Sequence, residues 1–121
     1  MTAFDADAYL KRIGLTAPPE PTVEGLNALQ RAQVLAIPFE NFDIMLGRGI
    51  SLEPDAVFDK LVRRRRGGYC FEINGLLLTA LQAFGFEARA LLGRVHLMGQ
   101  TTGRSHQISL VTIDGTHWIA D

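Results

Sequence analysis

The hydrophobic residues in the first part of the chain recur at helical spacing. The clearest stretch follows Cys70, and its apolar positions are Ile73, Leu76, Leu77, Ala80, Leu81 and Phe84. Counted from the first of them, they lie at i+3, i+4, i+7, i+8 and i+11, which is one face of a helix. Gly85 follows where a left-handed C-terminal cap belongs. The pattern therefore predicts an amphipathic helix that begins at Cys70 and ends at Gly85.

Three shorter helices are predicted before this one. Asp5 or Asp7 can cap the first and Thr22 the second. Pro38 ends the second helix, because the residue before a proline is driven out of helical geometry. Pro54 opens the third helix, whose predicted buried stripe is Val57, Phe58, Leu61 and Val62. Residues 39–46 are apolar without a clear period, and we interpret them as an irregular stretch or a short strand.

After Gly85 the spacing of the hydrophobic residues changes from the helical period to the two-residue period of strands. Residues 86–97 are typical of one strand, with a break at Gly93. Residues 106–113 and 116–121 flank Asp114-Gly115, which is a strong hairpin signal. Helices followed by antiparallel strands predict an α+β fold. We expect residues 1–85 to form a helical bundle and residues 86–121 to form the opening strands of a second domain.

The hairpin predicts a neighbour relation between a histidine and a carboxylate. With a two-residue loop, Asp121 lies opposite Ile108, and His106 is then its diagonal neighbour on the same face. A four-residue loop keeps this parity, whereas a three-residue loop would separate the pair. Because Leu110 and Ile119 share the face, we expect it to be buried. A satisfied structural His–Asp pair is the alternative interpretation.

Composition narrows the classes of function. The net charge of the 121 residues is -1, which gives no overall basic field for nucleic acid. No apolar run approaches the ~20 residues of a membrane span, and the first residues do not resemble a signal peptide. A single cysteine excludes an internal disulfide, so we expect a reducing cytoplasmic location. The chain ends inside a predicted strand, and we therefore expect that a C-terminal part is missing.

Cys70 is the candidate nucleophile. Gly67, Gly68 and Tyr69 lead directly into its helix, so its sulfur lies at or near a helix N-terminus, where an anion is favoured. A buried cysteine that packs as a small hydrophobe is the alternative. A nucleophilic cysteine needs a histidine and a group that orients it, which His106 and Asp121 supply. The other histidines lack metal-ligand spacing with the cysteine, and no metal site is predicted.

Two motifs resemble those of the arylamine N-acetyltransferases. RGGYCFE at residues 66–72, with Asn74, resembles the active-site motif, and IPFEN at residues 37–41 matches a second segment. The two together are specific for the family. Weaker matches occur at residues 9–14, 93–95, 105–107 and 118–121, so that the resemblance extends over essentially the whole chain.

The resemblance implies roles for individual residues. Cys70 would accept the acetyl group, His106 would act as general base and acid, and Asp121 would orient the histidine. The reaction would be ping-pong: acetyl-coenzyme A, a co-substrate, acylates the cysteine, and an arylamine or arylhydrazine then takes the acetyl group. No permanently bound cofactor is implied. Phe39 and Val95 would line the acceptor pocket.

The resemblance also implies an ion pair and an architecture. Glu40 and Arg66 would pair near the site. The family has a helical bundle, a β-barrel and an α/β lid, similar to cysteine proteinases, and this chain holds the bundle and the first barrel strands. Because the absent parts supply much of the coenzyme A groove, the chain alone would be incomplete. An unfinished barrel exposes a strand edge, so we expect self-association there.

Three alternatives stay open at this point. Amide synthases of macrolactam biosynthesis share the fold and the catalytic residues of the family. Transglutaminases and papain-like peptidases share the order of Cys, His and Asp or Asn, although their flanking motifs differ. The chain could also be a truncated product without catalytic activity, in which case the thiol of Cys70 would react like that of an ordinary cysteine.

Overall fold

The computed structural model describes residues 4–94 and 106–121. Within them, helices precede a small antiparallel sheet, as the hydrophobic periods predict. The helices are α1 (Ala6–Ile13), α2 (Val23–Ala36), α3 (Phe42–Met45), α4 (Pro54–Phe58) with a π-helical turn (Asp59–Arg63) that continues it, and α5 (Cys70–Ala83). The strands are β1 (Glu87–Gly93), β2 (His106–Ile113) and β3 (Thr116–Ala120).

The predicted helix ends are confirmed by local hydrogen bonds. The Asp5 carboxylate accepts from the Ala8 amide, and the Thr22 hydroxyl accepts from the Gly25 amide. Gly14 takes the left-handed conformation that ends α1. Helix α2 stops at Ala36, before the extended residue that precedes Pro38.

Residues 39–46 differ from the prediction, because they contain the short helix α3 rather than an irregular stretch or a strand. Glu40 explains this turn, since its side chain accepts a hydrogen bond from the Phe42 amide at 3.2 Å. The Asn41 carbonyl then accepts from the Ile44 and Met45 amides. Only Phe39 keeps a strand-like contact, an isolated parallel bridge to Gly68.

The described strands form one sheet in the order β1-β2-β3. Ile113 pairs with Thr116 across the Asp114-Gly115 turn, and Ser109 pairs with Ala120. This register is the one predicted from a two-residue loop. Strand β1 ends at Gly93, where the sequence indicated a break. Residues 95–97, which were predicted to extend it, lie outside the described residues.

The predicted buried face of the hairpin is wrong. The sheet packs on α5 through the opposite face, whose buried residues are Ser109, Val111, Ile113 and Ala120. Ile119, on the face expected to be buried, is 55% exposed. Both faces carry apolar residues, so alternation alone could not select one. The face that packs on the helix is the one with the small residues Ser109 and Ala120, which allow a close approach.

The core joins the helices to the inner face of the sheet. It is built mainly from α1, α2, the α4 and π-helical segment, α5 and β2; the most enclosed side chains are Tyr9, Leu29, Leu61, Leu77, Leu81 and Val111. Within it, the Tyr9 hydroxyl donates to Gln33, whose amide donates to the Ile73 carbonyl of α5 at 3.0 Å. Among the described residues, every helix is too short or too polar to span a bilayer.

Candidate active site

Cys70 is the first residue of α5, and the two glycines of the loop before it have no room for a side chain. A Cβ on Gly67 would lie 2.1 Å from the Pro38 carbonyl oxygen, and one on Gly68 would lie 2.9 Å from Glu72. Gly68 donates to the Pro38 carbonyl at 3.2 Å and accepts from the Glu40 amide at 2.9 Å. The two glycines therefore allow the RGGYC loop to dock on the IPFEN segment, which fixes the start of α5.

His106 and Asp121 meet at the end of the sheet, as the hairpin register predicts. The histidine Nε2 lies 2.9 Å from both carboxylate oxygens of Asp121. The pair is not buried, since its side chains are 31% and 51% exposed. The expected burial of the pair is therefore wrong, as it is for Ile119 on the same predicted face. With Nε2 engaged by the carboxylate, Nδ1 is the ring nitrogen left for a second partner.

Asn74 links this pair to the helix of Cys70. Its Nδ2 donates to an Asp121 carboxylate oxygen at 3.0 Å and to the Gln107 carbonyl at 2.6 Å. Residues four apart lie on the same face of a helix, so Asn74 brings the His–Asp pair to the end of α5 where Cys70 lies. The sequence indicated Asn74 only as part of a motif. A buried asparagine one turn beyond a nucleophile is a signal that could have identified its role.

The ion pair between Glu40 and Arg66 is present, and it belongs to a larger cluster. Arg66 reaches Glu40 at 3.0 Å and Asp43 at 3.1 Å, and Lys60 joins Asp43 to Glu72 at 2.9 and 2.8 Å. Sequence reasoning missed Asp43, Lys60 and the role of Glu72. The available signals were a lysine between buried apolar residues and an aspartate within the apolar segment 39–46.

Hydrogen bonds and burial shift the pKa values of several groups at this site. Hydrogen bonds from Lys60 and Arg66 hold the pKa of Asp43 below its usual value. Burial by itself would lower the pKa of Lys60, but hydrogen bonds to Glu72 and Asp43 outweigh it and raise that pKa. Burial is the main cause of the raised pKa of Tyr69. Asp43, Lys60 and Arg66 therefore stay ionised at neutral pH.

The remaining predicted residues are less constrained. Phe39 is 68% exposed and lies where its backbone bridges Gly68, two residues before Cys70. Val95 lies outside the described residues. Among residues 4–94 and 106–121, no group of three or more His, Cys, Asp or Glu side chains is arranged to hold a metal ion.

Comparison with known proteins identifies the family of this chain. The N-acetyltransferase family model matches residues 22–121. The arylamine N-acetyltransferase / N-hydroxyarylamine O-acetyltransferase of Salmonella typhimurium is 46% identical over all of this chain, which spans 43% of that protein. A solved arylamine N-acetyltransferase from Salmonella typhimurium superposes with a TM-score of 0.93, covering 100% of this chain and 44% of that one. The Mycobacterium marinum arylamine N-acetyltransferase in complex with CoA is 38% identical, with a TM-score of 0.87 over 95% of this chain and 45% of that one. The chain thus spans less than half the length of the curated relatives it matches, and it belongs to the arylamine N-acetyltransferase family.

Proposed function

We propose that this chain carries the nucleophile, base and orienting carboxylate of an acetyltransferase that moves an acetyl group from acetyl-coenzyme A to an arylamine or arylhydrazine. Residues 1–85 supply the nucleophile, and residues 86–121 supply the other two groups. The names of the relatives support the acceptor class, and the CoA complex of the Mycobacterium marinum enzyme supports the donor.

The observation that supports the proposal most strongly is that the Asp121 carboxylate is hydrogen-bonded to both His106 and Asn74. Asn74 lies one helical turn from Cys70. This arrangement favours the tautomer that carries its proton on Nε2, because that proton is donated to the carboxylate. Nδ1 is then free to accept the Cys70 proton. Asp121 also stabilises the imidazolium that results.

In the first half-reaction, the Cys70 thiolate attacks the thioester carbonyl of acetyl-coenzyme A. The bond from that carbon to the coenzyme A sulfur breaks, and His106 returns its proton to the departing coenzyme A thiolate. In the second, the acceptor nitrogen attacks the acetyl-cysteine carbonyl and gives its proton to His106. The Cys70 thiolate leaves, which a sulfur anion does readily.

Phe39 and Val95 are proposed to contact the acceptor. The exposed ring of Phe39, beside the Cys70 loop, supports the first assignment. Glu40 and Arg66 are proposed to act structurally, because their ion pair ties the IPFEN segment to the residue that opens the glycine loop. A reducing cytoplasm suits a mechanism that depends on a reactive thiol.

Self-association is a further part of the proposal. Strand β3 pairs with β2 alone among the described strands, and it exposes Trp118 and Ile119. An unpaired strand edge beside exposed apolar side chains favours pairing with a second copy. Sedimentation at increasing concentration tests this: a rising mass is expected, and a constant monomer mass would refute it.

The test of the function is acetyl transfer to Cys70. After incubation with acetyl-coenzyme A, peptide mapping by mass spectrometry is expected to find one acetyl group on Cys70, and later addition of an arylamine should remove it. Cys70→Ser and His106→Gln should abolish the modification, whereas His117→Gln, an exposed histidine of β3, should not. Absence of acetyl-Cys70 in the folded protein, together with a thiol that is alkylated no faster than that of an unstructured peptide, would overturn the proposal.

A further inference from the structure

Behind the Cys70 loop lies a cluster of five charged side chains, which we name the Lys60 cluster. Its members are Glu40, Asp43, Lys60, Arg66 and Glu72. The cluster ties together segments that are distant along the chain: the IPFEN segment with α3, the π-helical turn, the glycine loop and the first turn of α5. Its centre is buried, since Lys60 is 5% exposed and Glu72 is 2% exposed.

Lys60 reaches the cluster because of the helix that carries it. In the π-helical turn Asp59–Arg63, Lys60, Leu61 and Val62 are all buried although they are consecutive. Single wide turns of this kind are frequent at functional sites. The ammonium group contacts one oxygen of Glu72 at 2.8 Å and one of Asp43 at 2.9 Å. Lys60 is therefore the cation shared by the two carboxylates.

Glu72 connects Lys60 to the residue before the nucleophile. Its Oε2 accepts from Lys60, and its Oε1 accepts the Tyr69 backbone amide at 3.1 Å. Tyr69 is the N-terminal cap of α5, and Cys70 follows it directly. Glu72 also packs against Gly68, where a Cβ would collide with its side chain at 2.9 Å. One carboxylate thus holds the backbone on the N-terminal side of Cys70.

We propose that Lys60 is a positioning residue for Cys70, acting through Glu72 and the Tyr69 amide, and this rests on the proposed role of Cys70 as nucleophile. Stability alone is a weak reason for a buried ion pair, because a pair of hydrocarbon side chains is often as stable. A hydrocarbon pair could not hold the Tyr69 amide. Without Lys60, the buried Glu72 carboxylate would lose its cationic partner, which is strongly destabilising, and the cap of α5 would loosen.

The experiment measures the rate at which iodoacetamide alkylates Cys70, as a function of pH, in variants confirmed to be folded by circular dichroism. The thiolate is the reacting species, so the rate reports changes in the surroundings of the Cys70 sulfur. Lys60→Met is expected to slow alkylation near neutral pH about tenfold, because small displacements of a reacting group have effects of this size or larger. Glu72→Gln should also slow alkylation. Lys60 and the Tyr69 N–H are both donors, whereas the glutamine amide has a single acceptor oxygen and cannot replace both carboxylate oxygens.

A neutral pair provides the rescue. In Lys60→Gln combined with Glu72→Gln, one amide can donate to Asp43 and accept from the other, whose oxygen still accepts the Tyr69 amide. The alkylation rate of the double variant should be within about threefold of the parent rate, which corresponds to less than about 1 kcal/mol. Asp59→Asn is the matched control, because Asp59 lies on the same turn and, within the described part of the chain, forms its ion pair with the exposed Arg64 at 3.0 Å; the variant should leave the rate unchanged.

The outcomes separate the two proposals. If the parent reacts fast and folded Lys60→Met reacts equally fast, the role of Lys60 is overturned while that of Cys70 stands. The same holds if the double variant is as slow as the single variants. If Lys60→Met does not fold, Glu72→Gln and the double variant decide by the same criteria. A parent thiol no faster than that of a short unstructured peptide overturns both proposals.

Discussion

Replacing Asn74 by alanine removes the contact that joins the His–Asp pair to α5. Its side chain is 3% exposed and donates one hydrogen bond to the Gln107 carbonyl and one to the Asp121 carboxylate. A neutral hydrogen bond contributes about 1 kcal/mol and one to a charged group about 1.5–3 kcal/mol. Because Asp121 is half exposed, water replaces part of the second contribution. We therefore expect Asn74→Ala to lower the free energy of unfolding by about 2–3 kcal/mol.

Urea denaturation followed by circular dichroism measures this loss, and for a domain of this size it shifts the midpoint by about 1 M. Gln82→Ala is the matched control, since Gln82 is an exposed amide on the same helix that donates a single hydrogen bond to the Ala88 carbonyl at 3.1 Å. Gln82→Ala should lower the free energy of unfolding by no more than about 0.5 kcal/mol. Equal losses in the two variants would refute the bridging role of Asn74.

Three further predictions concern the glycine loop, the backbone contacts of Arg12 and the Lys60 cluster. Gly67→Ala places a Cβ 2.1 Å from the Pro38 carbonyl oxygen and should lower the free energy of unfolding by about 1–3 kcal/mol in urea denaturation. Gly75→Ala is the control, because nothing lies within 4 Å of the added Cβ, and it should stabilise α5 by about 0.5–1 kcal/mol. Arg12 donates to the Leu61 and Ala36 carbonyls at 2.7 and 2.8 Å. Arg12→Lys should therefore lower the free energy of unfolding, measured by urea denaturation, by about 2–3 kcal/mol. An unchanged free energy of unfolding would contradict this role of Arg12. The pKa of Asp43 is lower in the folded state, so its stabilisation is present above about pH 3.8 and is lost as the pH falls through the folded value. The free energy of unfolding, measured over a pH series, should therefore fall less steeply in acid for Asp43→Asn than for the parent. Parallel curves would count against the interactions of Asp43 with Lys60 and Arg66.

Helices α1, α2, α4 and α5, the hairpin and the meeting of His106 with Asp121 were predictable from the sequence. Helical periodicity and capping residues are local signals, and the Asp114-Gly115 turn fixed a register from which the diagonal pair followed. The start of α5 at Cys70 was equally accessible, because two glycines precede an apolar stripe.

The buried face of the sheet and the Lys60 cluster were not predictable in the same way. Both faces of β2 and β3 carry apolar residues, so the choice depends on which face the helix approaches, which is a tertiary property. The cluster joins residues up to 32 positions apart, from Glu40 to Glu72. Helix α3 was missed because its first turn depends on the Glu40 side chain rather than on a periodic pattern.

The central claim is that the sulfur of Cys70, the imidazole of His106 and the carboxylate of Asp121 act as one unit. The most direct test is the alkylation rate of Cys70 near neutral pH in the parent, His106→Gln and Asp121→Asn, with His117→Gln as control. The account predicts that the parent and the control react much faster than an unstructured cysteine peptide, and that the other two variants lose most of this advantage. Equal rates in the parent and in folded His106→Gln would contradict it.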